Sequence, residues 1–207
     1  MFTIWGRLNS HNVKKVAWLA REIGLPHVRH DVGGRFGMSD AYLRLNPNAL
    51  IPTIEDDGPG GNIVLWESNA ILRYMAARHA PVRFWPTDPA QRAIGDKWMD
   101  WQFAFADAQR DAFLNLVRRK SGDRDAAAIS ASAGMTGAMM RILDDALALS
   151  PWLSGTDFGL GDIPMGVYAH TWFTLDMERP SFAHVAAWYE KLKTRPGYAD
   201  TVMIPLT

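Results

Sequence analysis

Phe2-Thr3-Ile4-Trp5 is a short β-prone run halted by Gly6, and beyond it Val13, Val16, Ala17 and Ala20 recur at helical spacing until Gly24-Leu25-Pro26 breaks the pattern. Strand, loop and helix are expected in that order. His27 to Val32 reads as a second strand, Gly33-Gly34-Arg35-Phe36-Gly37 as a flexible connection, and Ser39 to Leu45 as a short helix ended by Asn46-Pro47-Asn48. Two apolar runs, Pro52-Thr53-Ile54-Glu55 and Asn62-Ile63-Val64-Leu65, flank the turn-rich Asp56-Asp57-Gly58-Pro59-Gly60-Gly61 and predict a β-hairpin. Ser68 to about His79 predicts the helix that closes the unit.

The order β-α-β-α-β-β-α, with a right-handed crossover setting the first two strands parallel, is the thioredoxin-like one and occupies residues 1–80. Pro81, Pro86 and Pro89 mark a linker, 81–87. After it strand signals vanish, and 88–207 is expected to be all-helical. Trp98, Trp101, Phe105, Ala108 and Ala112 mark one face of a long helix, while Met99, Phe103, Ala106 and Phe113 mark another, so that helix should be packed on two sides. Further helices are expected near Asp125 to Ser150, Asp162 to Phe173 and Ser181 to Arg195. Phe158-Gly159-Leu160-Gly161-Asp162-Ile163 has the spacing of a capping box with a hydrophobic staple, although Gly159 stands where Ser or Thr belongs.

Composition narrows the chemistry. The 207 residues carry 22 basic and 22 acidic side chains, and a formal charge of zero recruits neither nucleic acid nor anionic lipid. Cysteine is absent, which removes disulfides, thiolate metal sites and a cysteine nucleophile, so any sulfur chemistry must use a borrowed thiol. No run of about 18 apolar residues and no leader pattern stand out, which makes a soluble, cytoplasmic protein without membrane partners the expectation. His27 and His30 fall on opposite faces of their strand, and no metal is expected there. Gly-x-Ser-x-Gly and His-Glu-x-x-His do not occur.

With Asn46-Pro47-Asn48-Ala49-Leu50-Ile51-Pro52-Thr53, Leu65-Trp66-Glu67-Ser68-Asn69-Ala70-Ile71-Leu72-Arg73-Tyr74 and Trp85-Pro86-Thr87-Asp88-Pro89 in view, the chain resembles a bacterial, serine-type glutathione S-transferase of theta- or nu-like kind over nearly its whole length. The resemblance implies glutathione as co-substrate, no metal, and a homodimer. It implies a cis bond at Ile51-Pro52, with the Ile51 backbone pairing with the cysteinyl backbone of glutathione as an added strand. It also implies that Glu67 and Ser68 hold the γ-glutamyl end, Ser68 and the free N–H groups of its helix meeting the carboxylate and Glu67 the ammonium. Each has a plainer reading by itself: a strand-opening proline, a solvated acid, a helix cap.

Ser10 lies where serine-type members place the hydroxyl that donates to the glutathione sulfur, and Asn12 lies where some bacterial members bring a second group to it. Ser10 ranks first; either residue could instead cap the first helix. Leu50 departs from the Lys, Arg or Gln that many relatives carry for the glycine carboxylate, leaving Arg35 as the candidate substitute. Trp101 and Phe105 are candidates for the apolar substrate pocket, with core packing as the alternative. Two functions follow. One is an enzyme that activates the glutathione thiol against a small electrophile, a peroxide or a disulfide; the other is a non-catalytic carrier or binding module of the same fold, which Leu50 would favour.

Overall fold

Buried Phe2 and Ile4 alternate with half-buried Thr3 and Trp5 along β1 (Phe2–Trp5), the pattern of a strand with one face on a core. In the computed structural model, which describes residues 1–58 and 61–207, β1 lies at the centre of a four-stranded sheet ordered β2-β1-β3-β4. It pairs in parallel with β2 (His27–His30), Phe2 opposite His27, and antiparallel with β3 (Thr53–Gly58), Ile4 opposite Ile54. β3 and β4 (Gly61–Trp66) form the expected antiparallel pair; Pro59-Gly60 of the predicted turn lies outside the described residues. α1 (His11–Glu22), which connects the parallel strands, packs against α3 (Ser68–His79). The loop expected to be flexible is a 3-10 turn, Gly34–Phe36, closed by Gly33 N–H donating to Gly37 C=O at 2.8 Å. Ser39 caps α2 (Asp40–Leu45), its hydroxyl accepting from Tyr42 N–H at 3.2 Å.

The structure divides into two compact units, residues 1–86 with 195–204 and residues 87–194 with 205–207. Segment 195–204, expected with the helical unit, therefore packs on the first one. There Tyr198, on α9 (Tyr198–Thr201), meets Trp18 of α1 with ring centroids 4.7 Å apart, and Lys14 Nζ donates to Val202 C=O at 2.9 Å. The buried carboxylate of Glu22 accepts from Arg195 and, at 2.7 Å, from Arg83. Within the expected linker, residues Pro81–Phe84 form a short helix, α4, because a proline at the first helical position loses no internal hydrogen bond.

In the helical unit, α5 (Pro89–Phe113) runs into a π-helical turn, Leu114–Arg118. Ser132, on α6 (Ala126–Leu149), donates to Ala108 C=O at 2.5 Å and accepts from Ala112 N–H at 3.1 Å, entering the ladder of α5 just before that turn. Buried Asn115 then ties the turn to the start of α6 by accepting from Asp125 N–H at 2.9 Å. α6 is long and apolar enough to cross a membrane by length and composition, with a mean hydropathy of 1.2 over its best window, so composition does not by itself exclude such a span. Its inner side is used within the unit, where it packs on α5 and on α8 (Ala183–Lys193). Asp144 of α6 caps α8, accepting from His184 N–H at 2.8 Å and Val185 N–H at 2.9 Å; burial pushes its carboxyl up, but these bonds and His184 outweigh it and hold the carboxyl below its usual range.

α7 (Asp162–Thr174) starts at Asp162 as expected, but its N-cap is Gly161 rather than the Gly159 that the box spacing predicts. Half of the box forms nonetheless: Asp162 accepts from Gly159 N–H at 3.1 Å. It also accepts from Leu153 N–H at 2.8 Å, Ser154 N–H at 3.2 Å and Trp188 Nε1–H at 2.9 Å. Burial pushes this carboxyl up, and the four donors work against that. Gly159 is required: a Cβ there would lie 2.7 Å from Ser154 Cβ, so neither Ser nor Thr fits.

Candidate functional site

Ser10 is the N-cap of α1, in extended conformation, with its backbone C=O accepting from Lys14 N–H at 2.9 Å. Its hydroxyl makes no capping bond, so the helix leaves that group unused. Asn12 does not cap either; its Oδ1 accepts from the hydroxyl of Ser68 at 3.2 Å. The structure thus joins Asn12 to the N-terminus of α3, a contact that the sequence did not disclose.

Ile51 lies between α2 and β3, half-buried, and the Ile51-Pro52 bond is cis. Among the described residues neither the N–H nor the C=O of Ile51 pairs with another backbone group. Its side chain rests on two glycines with positive φ: a Cβ at Gly6 (φ +149) would lie 3.2 Å from Ile51 Cβ, and one at Gly33 (φ +83) 3.2 Å from Ile51 Cδ1. The preceding carbonyl is fixed, since Leu50 C=O accepts from Tyr42 Oη–H and from Asn46 Nδ2–H at 2.9 Å. The Leu50 side chain is 60% exposed and brings no charge to this edge. Arg35 is exposed as well, its guanidinium 4.8 Å from the centroid of the Phe36 ring.

Glu67 caps α3 with φ +72, a conformation that costs a non-glycine residue about 1–3 kcal/mol. Its C=O accepts the first helical bond from Ile71 at 2.9 Å while its side chain is exposed and makes no capping bond. Ser68 is the first residue of α3 and is buried, beside buried Asn69. Behind both stands Lys15, 0% exposed, whose Nζ donates to Ser68 Oγ at 3.3 Å and to Asn69 Oδ1 at 3.4 Å. Burial lowers the Lys15 ammonium to about 7, against the opposing pull of the Glu67 charge.

Lys15 is the site residue that sequence reasoning missed. The available signal was Val16-Ala17-Trp18-Leu19-Ala20, an unbroken apolar run that marks α1 as a largely enclosed helix, with Lys14 and Lys15 directly before it. Of the two residues assigned to an apolar pocket, Phe105 is fully buried in the helical unit, 6.2 Å from the ring of Tyr168, and offers no surface; Trp101 remains half-buried, edge-on to Trp98 at 5.4 Å. Phe105 is therefore a core residue. Among the described residues no group of three or more His, Asp or Glu side chains is arranged to hold a metal ion.

A thioredoxin-like sheet unit with a cis-proline edge, followed by a helical unit, defines a class of two-unit folds. Residues 9–78 match the family described as glutathione S-transferase, N-terminal domain. The chain is 40% identical to glutathione S-transferase GstB of Escherichia coli strain K12 over 210 aligned positions covering all of both proteins. Among solved structures, the theta class glutathione S-transferase of Xanthomonas axonopodis pv. citri with glutathione bound superposes with a TM-score of 0.93 at 46% identity, covering 100% of this chain and 99% of that one. The disulfide-bond oxidoreductase YfcG of Escherichia coli strain K12 is 25% identical, with 93% of this chain and 90% of that protein aligned. This chain belongs to the glutathione S-transferase family.

Proposed function

We propose that this chain binds glutathione along Ile51 and the N-terminus of α3 and activates its thiol for attack on a small electrophile. The observation that carries the reading is the hydroxyl of Ser10, which stands at the positive end of α1 without a capping bond and is free to donate to a sulfur. A free thiol has a pKa of about 8.5, and each unit of depression is worth about 1.4 kcal/mol of preference for the thiolate. A hydroxyl donor and a helix N-terminus supply such a preference, with Asn12 as the second polar group near the same end. Ile51 offers an N–H and a C=O to the cysteinyl backbone, the backbone N–H groups of Ser68 and the turn it opens meet the γ-glutamyl carboxylate, and Glu67 meets the ammonium.

Relatives named as transferases over the full length favour the enzyme over the carrier module. The disulfide variant of the reaction draws support from the relative named as a disulfide-bond oxidoreductase. On α5, Phe103 is 48% exposed; the second apolar face expected on that helix is covered if two copies associate, and we read the protein as a cytoplasmic homodimer. Calorimetry with glutathione, together with turnover of an aromatic electrophile and of an organic hydroperoxide, tests the proposal. Binding with measurable turnover of either substrate is the expected result. Absence of glutathione binding would end it.

A further inference from the structure

Lysine ordinarily keeps its head group in water, running its alkyl stem along apolar surface. Lys15 instead has its whole side chain enclosed and its amine aimed at the first turn of α3. Filling that volume does not require a charge, since methionine occupies a similar space with no polar atom to desolvate. A buried amine is costly unless it does something a hydrocarbon cannot.

What it does can be read from donors and acceptors. Lys15 Nζ donates to Ser68 Oγ at 3.3 Å and so occupies the lone-pair side of that hydroxyl. The single proton of Ser68 is then directed elsewhere, and it points to Asn12 Oδ1 at 3.2 Å. A second donation, to Asn69 Oδ1 at 3.4 Å, holds the next residue of α3. Lys15, Ser68 and Asn12 form a directed chain of hydrogen bonds linking α1 to α3, with Ser10 at the head of α1 and strained Glu67 at the cap of α3. Either protonation state of the amine carries N–H groups for both acceptors, so the arrangement survives a change of charge.

We infer that Lys15 is a positioning residue of the glutathione site, fixing Ser68 and Asn69 where the γ-glutamyl end of the tripeptide meets α3 without touching the ligand itself. The inference rests on the glutathione reading above. It makes a selective claim: Lys15 matters for the γ-glutamyl end and not for the cysteinylglycine end, which lies along Ile51.

The test is calorimetric titration of the full chain, wild type and Lys15→Met, with glutathione and with cysteinylglycine, which lacks the γ-glutamyl group, alongside thermal midpoints of both proteins. Lys15→Met should weaken glutathione tenfold or more and change cysteinylglycine less than twofold. Equal losses for the two ligands would show a merely structural role and overturn the inference, as would unchanged glutathione binding. If Lys15→Met does not fold, Lys15→Gln, which keeps an N–H donor, is measured in its place; it should retain glutathione binding within about threefold, and a tenfold loss for both ligands would overturn the inference. A wild-type chain that binds no glutathione would instead sink the parent reading.

Discussion

The hydroxyl of Ser68 donates to the side-chain carbonyl of Asn12 over 3.2 Å, joining the first turn of α3 to the first turn of α1. Two segments far apart in the chain, each carrying residues assigned to glutathione, are thereby held in one arrangement. The bond uses the carbonyl of Asn12 and not its amide N–H donors, so it orients Asn12 without removing it from the proposed site.

Ser10→Ala should lower kcat with an aromatic electrophile by about tenfold or more, the scale of losing one activating donor. Because the hydroxyl makes no capping bond, the same substitution should change stability by no more than about 0.5 kcal/mol, less than a lost cap costs. Steady-state kinetics and urea unfolding on the same preparation separate the two effects. Equal kcat for both proteins would transfer the role away from Ser10.

Leu50→Arg places a cation on the exposed edge next to Ile51, where the present side chain is 60% exposed. A guanidinium able to meet the glycine carboxylate should tighten glutathione binding by about threefold or more. Added salt should reduce the gain. Calorimetry at two ionic strengths checks both statements; an unchanged Kd would mean that another residue already serves that carboxylate.

Stability should rise with pH between about 7 and 10, because two lysines are enclosed. Burial lowers Lys14 to about 8 and Lys15 to about 7, from an ordinary 10.5. In that window the unfolded chain binds more protons than the folded one, and each fully transferred proton contributes about 1.4 kcal/mol per pH unit. Above about pH 10 the sign reverses, since Tyr74 and Tyr189 are pushed up to about 12, mainly by burial, and the unfolded chain then loses its tyrosine protons first. Urea midpoints from pH 7 to 11 should pass through a maximum, and Lys15→Met should flatten the rising limb.

Asp162→Ala should cost about 3 kcal/mol or more, because it strands the N–H groups of Leu153, Ser154, Gly159 and Trp188 around a fully buried position. Chemical denaturation followed by tryptophan fluorescence measures the loss. A cost below 1 kcal/mol would mean that the loop regains its bonds elsewhere.

Much of the architecture was legible because periodicity and breakers agree. The β-prone run Phe2–Trp5, helical spacing from Val13 and the proline and glycine stops fall at or near observed element boundaries. Pro81 was read only as a linker signal, yet proline also opens helices, and α4 begins on it. Pro196-Gly197, just beyond α8, is a helix stop that carries no information about where the chain goes next; the return of Tyr198 to Trp18 is a long-range packing choice. The site divides in the same way. Ser10, Ile51, Pro52, Glu67 and Ser68 stand in local motifs, while the roles of Lys15, Gly6 and Gly33 arise from approaches between elements that no local spacing encodes.

The tail packed on α1 bears on how this protein can be dissected. A fragment ending at Pro86 would lack Tyr198, Val202 and Arg195, baring Trp18 and leaving the Lys14 amine and one side of the Glu22 carboxylate without their partners. To obtain the sheet-bearing half as an independent piece, an engineer would need to splice residues 195–204 back onto it.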